Sequence, residues 1–143
     1  MAKIKTNVDI ASEFRYSDPF LNEENLVIFI SQSGETLDTL MALKLARSKG
    51  AKTLAITNVV GSTISREADI VLYTVAGPEI SVASTKAYTT QVVTFYLLAL
   101  YVAFKCKRVT LEEYDSYLDK IYSLSEKIGK MFFNKEKIEK IAQ

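Results

Sequence analysis

Residues 26–36 read LVIFISQSGET, five aliphatic or aromatic side chains followed without a break by hydroxyls, an amide, a glycine and an acid. The run Leu26–Ile30 has no polar position on either side, as a strand does when both faces of its sheet are covered. Ser31-Gln32-Ser33-Gly34-Glu35-Thr36 is turn and helix-cap chemistry, so a buried strand is expected to feed a helix starting at Leu37. From there Leu40, Met41, Leu43, Leu45 and Ala46 fall broadly on one side, and Ser48-Lys49-Gly50 ends the helix with a glycine suited to a left-handed exit.

Working outward, the unit repeats. Thr53–Thr57 reads as a second buried strand, Asn58–Ser62 as a polar loop, Ser62–Ala68 as a short helix and Ile70–Val75 as a third strand. After Ala76-Gly77-Pro78 comes a long helix, Ser84–Lys105, and then an amphipathic one, Leu111–Ile128, with Leu111, Tyr114, Leu118, Ile121 and Ile128 on its apolar side. A last short helix covers Lys135–Ala142. Strands alternating with helices predict the α/β class, a parallel sheet flanked by helices. One domain is expected over 1–143, with its core at about 8–105 and C-terminal helices at about 111–142. The amphipathic helix has two readings, a seal on this sheet or a connector that meets another domain or subunit.

Composition narrows the function. The chain has 143 residues, 48% apolar and 10% aromatic, enough for a sizeable core. Its 18 basic and 17 acidic side chains nearly cancel, which argues against nucleic acid or an acidic membrane surface as partner. There is no histidine, so imidazole metal ligands and a serine–histidine pair are excluded within these residues. The single Cys106 reads as an ordinary reduced thiol on a helix, consistent with the cytoplasm. Met1–Ile10 carries no charged-then-apolar signal pattern. The longest apolar run, Val92–Phe104, is shorter than the roughly 18–20 residues of a bilayer crossing and is expected as a buried helix. No repeat and no low-complexity tract is present.

Parallel sheets bind ligands at the carboxyl ends of their strands, which directs attention to SQSGET. Hydroxyls of Ser31, Ser33 and Thr36, the Gln32 amide and the free N–H groups of a helix start suit an anion with several oxygens, such as a phosphate monoester. The loop lacks the Gly-Lys-Ser/Thr ending of a nucleotide-binding P-loop and the GxGxxG dinucleotide pattern. The competing reading is simple capping by Ser33 or Thr36, with Glu35 favourable in the first turn. A second small-hydroxyl loop, Gly77–Lys86, precedes the long helix on the same ligand edge. There Glu79 reads as a helix-entry acid and Lys86 as a solvated residue. Asn58–Ser62 reads as a plain turn with Ser62 as the cap of the short helix.

The stretches VDIASEFRY (8–16), ISQSGETLDTL (30–40), GAKTLAITNVVGSTISREAD (50–69) and AGPEISVASTKAYTTQ (76–91) resemble, in order and spacing, the sugar isomerase (SIS) domain. The resemblance covers about residues 8–102. The SxSG loop is common to SIS domains, whereas the last stretch resembles the glutamine:fructose-6-phosphate amidotransferases, the glucosamine-6-phosphate synthase family. The resemblance implies a flavodoxin-like sheet that lacks the lobe's first strand and helix, and a phosphate site at Ser31, Gln32, Ser33 and Thr36. It also implies a sugar-contacting segment at Val82 and Ser84. The implied ligand is fructose 6-phosphate or glucosamine 6-phosphate, in a homo-oligomer and with no cofactor or metal. The family's catalytic histidine, glutamate and lysine do not align with these residues. Substrate binding without a complete reaction is therefore expected, the alternative being a sugar-phosphate-sensing or assembly module that pairs through Val92–Phe104. Without the first strand, the edge of Leu26–Ile30 is expected to be filled by the N-terminal segment, filled by another chain, or left open.

Overall fold

In a computed structural model that describes residues 2–80, 84, 86–131 and 135–142, β1 (Leu26–Ser31) pairs in parallel with β2 (Lys52–Thr57), and β2 pairs in parallel with β3 (Ile70–Tyr73). The order is β1-β2-β3, with Ser31 level with Thr57, and Thr57 level with Tyr73. Three equivalent strand ends therefore lie on one edge of the sheet. The connections run through α2 (Leu37–Ser48) and α3 (Thr63–Glu67), and a short α1 (Ala11–Phe14) precedes them, an element the sequence did not signal. As the central strand, β2 is buried at every position but Lys52.

The core lies on the face that carries Phe29 and Ala55. Against it α2 buries Thr39, Ala42, Leu43 and Ala46, an i, i+3, i+4, i+7 stripe of mostly small side chains, and α3 adds Ile64. Met41, expected inside, is on the solvent side of this stripe. At the far end of the sheet, Thr53 donates its N–H and Oγ1 hydroxyl to Asp69 Oδ2, both at 2.8 Å, and Asp69 returns its own N–H to Thr53 Oγ1 at 3.0 Å. These bonds fix the entry to β3 and hold the Asp69 carboxyl below the usual carboxylate range.

The other face departs from the expectation of full burial. Leu26 and Ile30 are 51% and 45% exposed. Residues 2–10 form no strand, so the N-terminal segment does not fill the edge, and among the described residues β1 has β2 as its sole strand neighbour. β3 stops at Tyr73, two residues short of the expected Val75, because Val75 adopts φ +51° and breaks the extended chain.

The chain divides into two compact units, Ile4–Phe95 and the described residues from Tyr96 onward with those before Ile4. The helix α4 (Lys86–Lys105) begins in the first and ends in the second. Its 20 residues are long and apolar enough to meet the length of a membrane span, but only 17% of its most apolar stretch is buried. Ala87, Leu100 and Ala103 are buried, whereas Tyr88, Tyr96, Leu97 and Tyr101 are exposed. The expected buried helix is thus covered along part of its surface only. Cys106 lies one residue beyond α4 and is exposed and unpaired.

The expected amphipathic helix is two, α5 (Leu111–Tyr122) and α6 (Leu124–Met131), with α7 (Lys135–Ala142) after them. Ser123 interrupts it by donating its hydroxyl back to Lys120 O at 2.9 Å, a bond that competes with the helical ladder. The start of α5 is closed by a capping box, Glu113 N–H to Thr110 Oγ1 at 3.2 Å and Thr110 N–H to Glu113 Oε2 at 2.8 Å. Phe104 packs on Tyr114 with ring centroids 4.8 Å apart.

Candidate functional site

The hexapeptide Ser31–Thr36 leaves the carboxyl end of β1 and enters α2. Ser31 Oγ accepts the Gly34 N–H at 3.0 Å and lies 3.0 Å from Thr36 Oγ1, while Ser33 Oγ accepts the Glu35 N–H at 3.2 Å. These bonds draw the loop into a tight arc in which Ser31 and Gly34 are buried, Gln32 and Ser33 half-buried, and Thr36 exposed. Ser31 and Thr36 are therefore brought together, while the Ser33 hydroxyl is engaged by the Glu35 N–H and Gln32 lies between Ser31 and Ser33 in the chain. Thr36 occupies the cap position of α2, yet its hydroxyl makes no capping bond. The simple capping reading does not describe this loop, and the first-turn N–H groups of α2 keep the partial positive charge of a helix start.

Two acids beside that helix start are already engaged elsewhere. Asp38 meets Arg15 at 3.3 Å. Glu35 Oε1 accepts the Thr63 N–H at 2.8 Å, and hydrogen bonding from Thr63 keeps the Glu35 carboxyl below its usual range. Glu35 thus caps α3, the role expected of Ser62. Ser62 makes no side-chain cap because its Oγ is buried beneath Gly34 with no hydrogen-bond partner among the described residues. A second bond, Ile64 N–H to Gly34 O at 3.0 Å, ties the arc to α3.

The turn after β2 also reaches the other ligand-edge loop. Asn58 N–H donates to Gln32 O at 3.0 Å. Its side chain accepts from Ala76 N–H at 2.8 Å and Thr74 Oγ1 at 3.2 Å, and donates to Gly77 O at 2.8 Å. The sequence suggested only a plain turn here, although an asparagine directly after a central strand on the ligand edge is a usable signal. Farther along the second loop, Glu79 Oε2 accepts from Ala87 N–H at 3.2 Å, the helix-entry role expected of it, and from the Ser84 hydroxyl at 3.4 Å. Ser84 and Lys86 are exposed. Val82 lies outside the described residues.

A cavity of about 530 Å³ is lined by Phe104, Lys105, Lys107, Arg108, Val109, Thr110 and Glu113, and one of about 410 Å³ by Asn22, Glu23, Glu24, Lys49 and Gly50. Neither touches Ser31–Thr36.

A parallel α/β sheet with small hydroxyl side chains at a strand end, next to a helix start, is an arrangement suited to an anion. The chain belongs to the SIS domain family, whose model matches residues 1–101. It is 58% identical over 135 residues to the isomerising glutamine–fructose-6-phosphate aminotransferase of Fusobacterium nucleatum, covering 94% of this chain and 22% of that protein. The corresponding aminotransferase of Clostridium acetobutylicum is 52% identical over 141 residues, covering 99% of this chain and 23% of that protein. The C-terminal domain of glucosamine-fructose-6-phosphate aminotransferase from Francisella tularensis superposes with a TM-score of 0.90 at 36% identity, over 98% of this chain and 40% of that one. The chain is homologous to the SIS domain of these aminotransferases and spans less than a quarter of the two full-length relatives.

Proposed function

We propose that this domain holds the phosphate of fructose 6-phosphate or glucosamine 6-phosphate at Ser31, Gln32, Ser33 and Thr36, with Val82 and Ser84 toward the sugar. In this reading it is one binding lobe of an isomerising aminotransferase and does not complete the reaction alone. The observation that carries it is the start of α2, left without a side-chain cap, beside the paired hydroxyls of Ser31 and Thr36, with the nearby acids turned to Arg15 and Thr63. A phosphate dianion there gains hydroxyl donors and the helix dipole, and no cationic side chain is required. The names of the similar proteins support the choice of sugar phosphate.

The test is a titration of fructose 6-phosphate followed by amide NMR. Shifts are expected at Ser31–Thr36 and in the first turn of α2. Thr36→Val, which removes a hydroxyl and keeps the shape, is expected to weaken binding by about tenfold or more, as loss of a charge-assisted hydrogen bond does. Absence of any shift at millimolar ligand defeats the assignment.

A second reading, a self-association surface, rests on Tyr96, Leu97 and Tyr101 of α4, which are 59%, 40% and 50% exposed. Sedimentation of the protein with and without sugar phosphate tests it, and a monomer under both conditions counts against it.

A further inference from the structure

We propose that Asn58 is a positioning residue that sets the spacing between the phosphate arc and the β3–α4 loop, and so governs recognition of the sugar rather than of the phosphate. This rests on the assignment of Ser31–Thr36 to phosphate.

Asn58 follows the central strand, and the two loops it touches follow the strands on either side. Its backbone N–H holds Gln32 O of the arc, an attachment that survives any side-chain substitution. The amide side chain holds the other loop in both senses, accepting from Ala76 N–H and donating to Gly77 O, each at 2.8 Å. The orientation of the amide is settled by its partners, since an N–H demands the oxygen and a carbonyl demands the nitrogen. No other side-chain type of this size offers an acceptor and a donor in one plane.

The backbone it grips is strained. Val75, a β-branched residue that is 83% exposed, sits at φ +51° between the two residues that donate to Asn58 Oδ1. Such a conformation persists only where its surroundings enforce it. The bonds that flank Val75 are those from Thr74 and Ala76 to Asn58, together with Thr74 N–H to Thr57 O at 3.0 Å. With the Asn58 side chain removed, the β3–α4 loop loses two of the three bonds that flank Val75 and keeps only Thr74 N–H to Thr57 O, while the arc keeps its own internal bonds and its ties to α3.

The experiment compares inorganic phosphate with fructose 6-phosphate on the whole chain, by amide NMR titration, for the unmodified protein, Asn58→Ala and Asn58→Asp. Asn58→Ala is expected to leave the dissociation constant for inorganic phosphate within about twofold and to raise that for fructose 6-phosphate about tenfold, the loss of one to two hydrogen bonds' worth of order. Asn58→Asp keeps the acceptor for Ala76, loses the donor to Gly77, and is expected to fall between. Without ligand, the Ala76 amide is expected to exchange faster in Asn58→Ala and to stay protected in Asn58→Asp, which keeps its acceptor. An unchanged ratio of the two affinities overturns the proposal, and retained phosphate binding serves as the proof that the variant is folded. Should Asn58→Ala not fold, Asn58→Asp decides by the same ratio. If the unmodified protein binds neither ligand, the phosphate assignment itself fails and takes this inference with it.

Discussion

Gly34→Ala separates backbone strain from steric overlap at the Ser31–Thr36 arc. Gly34 has φ +66°, and a Cβ added there meets Ser62 Oγ at 2.0 Å, Ser62 Cβ at 2.5 Å and Thr57 Oγ1 at 2.8 Å. The left-handed backbone alone costs an alanine about 1–2 kcal/mol. The overlap adds about 1–3 kcal/mol, the usual cost of overpacking. Ser62 cannot withdraw freely, since its carbonyl accepts the Arg66 N–H at 3.0 Å and the neighbouring Ile64 N–H is bonded to Gly34 O. Gly61 is the internal control, because its φ is +74° and nothing lies within 4 Å of its added Cβ, so Gly61→Ala carries the backbone cost without the overlap. Urea unfolding at neutral pH is therefore expected to show Gly34→Ala less stable than Gly61→Ala by about 1–3 kcal/mol. At about 3–4 °C per kcal/mol for a chain of this length, the gap in melting temperature is about 3–12 °C. Adding Ser62→Gly to Gly34→Ala removes both Ser62 atoms from the clash and is expected to recover part of the loss. Equal destabilisation by the two alanine variants would show that the arc does not rest on Ser62 and would undo the account of how it is held.

Asp18, Glu35 and Asp69 all have carboxyls held below their ordinary range by hydrogen bonds, from Lys49, Thr63 and Thr53 respectively. A depressed folded-state value adds stability that is complete above the ordinary range and is lost as pH falls through the lower folded value, so the urea midpoint is expected to hold near neutrality and decline below about pH 4. Asp69→Ala lowers the midpoint at neutral pH and flattens that acid decline, because Thr53 is fully buried and loses the acceptor for its N–H and hydroxyl; an unchanged acid limb speaks against this linkage. Thr110→Ala opens the capping box and is expected to cost about 1 kcal/mol, read as faster amide exchange in the first turn of α5.

The alternation of apolar runs with turn chemistry was enough to place β1, α2, β2, α3 and β3 and to require a parallel sheet, because strand and helix periods are local properties of a few consecutive side chains. The same local chemistry singled out Ser31, Ser33 and Thr36, which lie within one turn of chain. It did not reveal that Ser62 gives up its cap to Glu35, 28 residues from Thr63, or that Asn58 reaches Gly77, 19 residues away. Those partners meet only once β1, β2 and β3 are set side by side, and no spacing along the chain announces the meeting. Burial was likewise undecided in advance: Leu26 and Ile30 carry the composition of a two-sided buried strand, but whether a hydrophobic face is covered depends on which elements are present to pack on it. Local periodicity thus determined the elements and the anion-suited arc, and tertiary structure alone decided which residues outside the arc tie it down, since hydrogen bonds between loops depend on strand order and register rather than on neighbours in sequence.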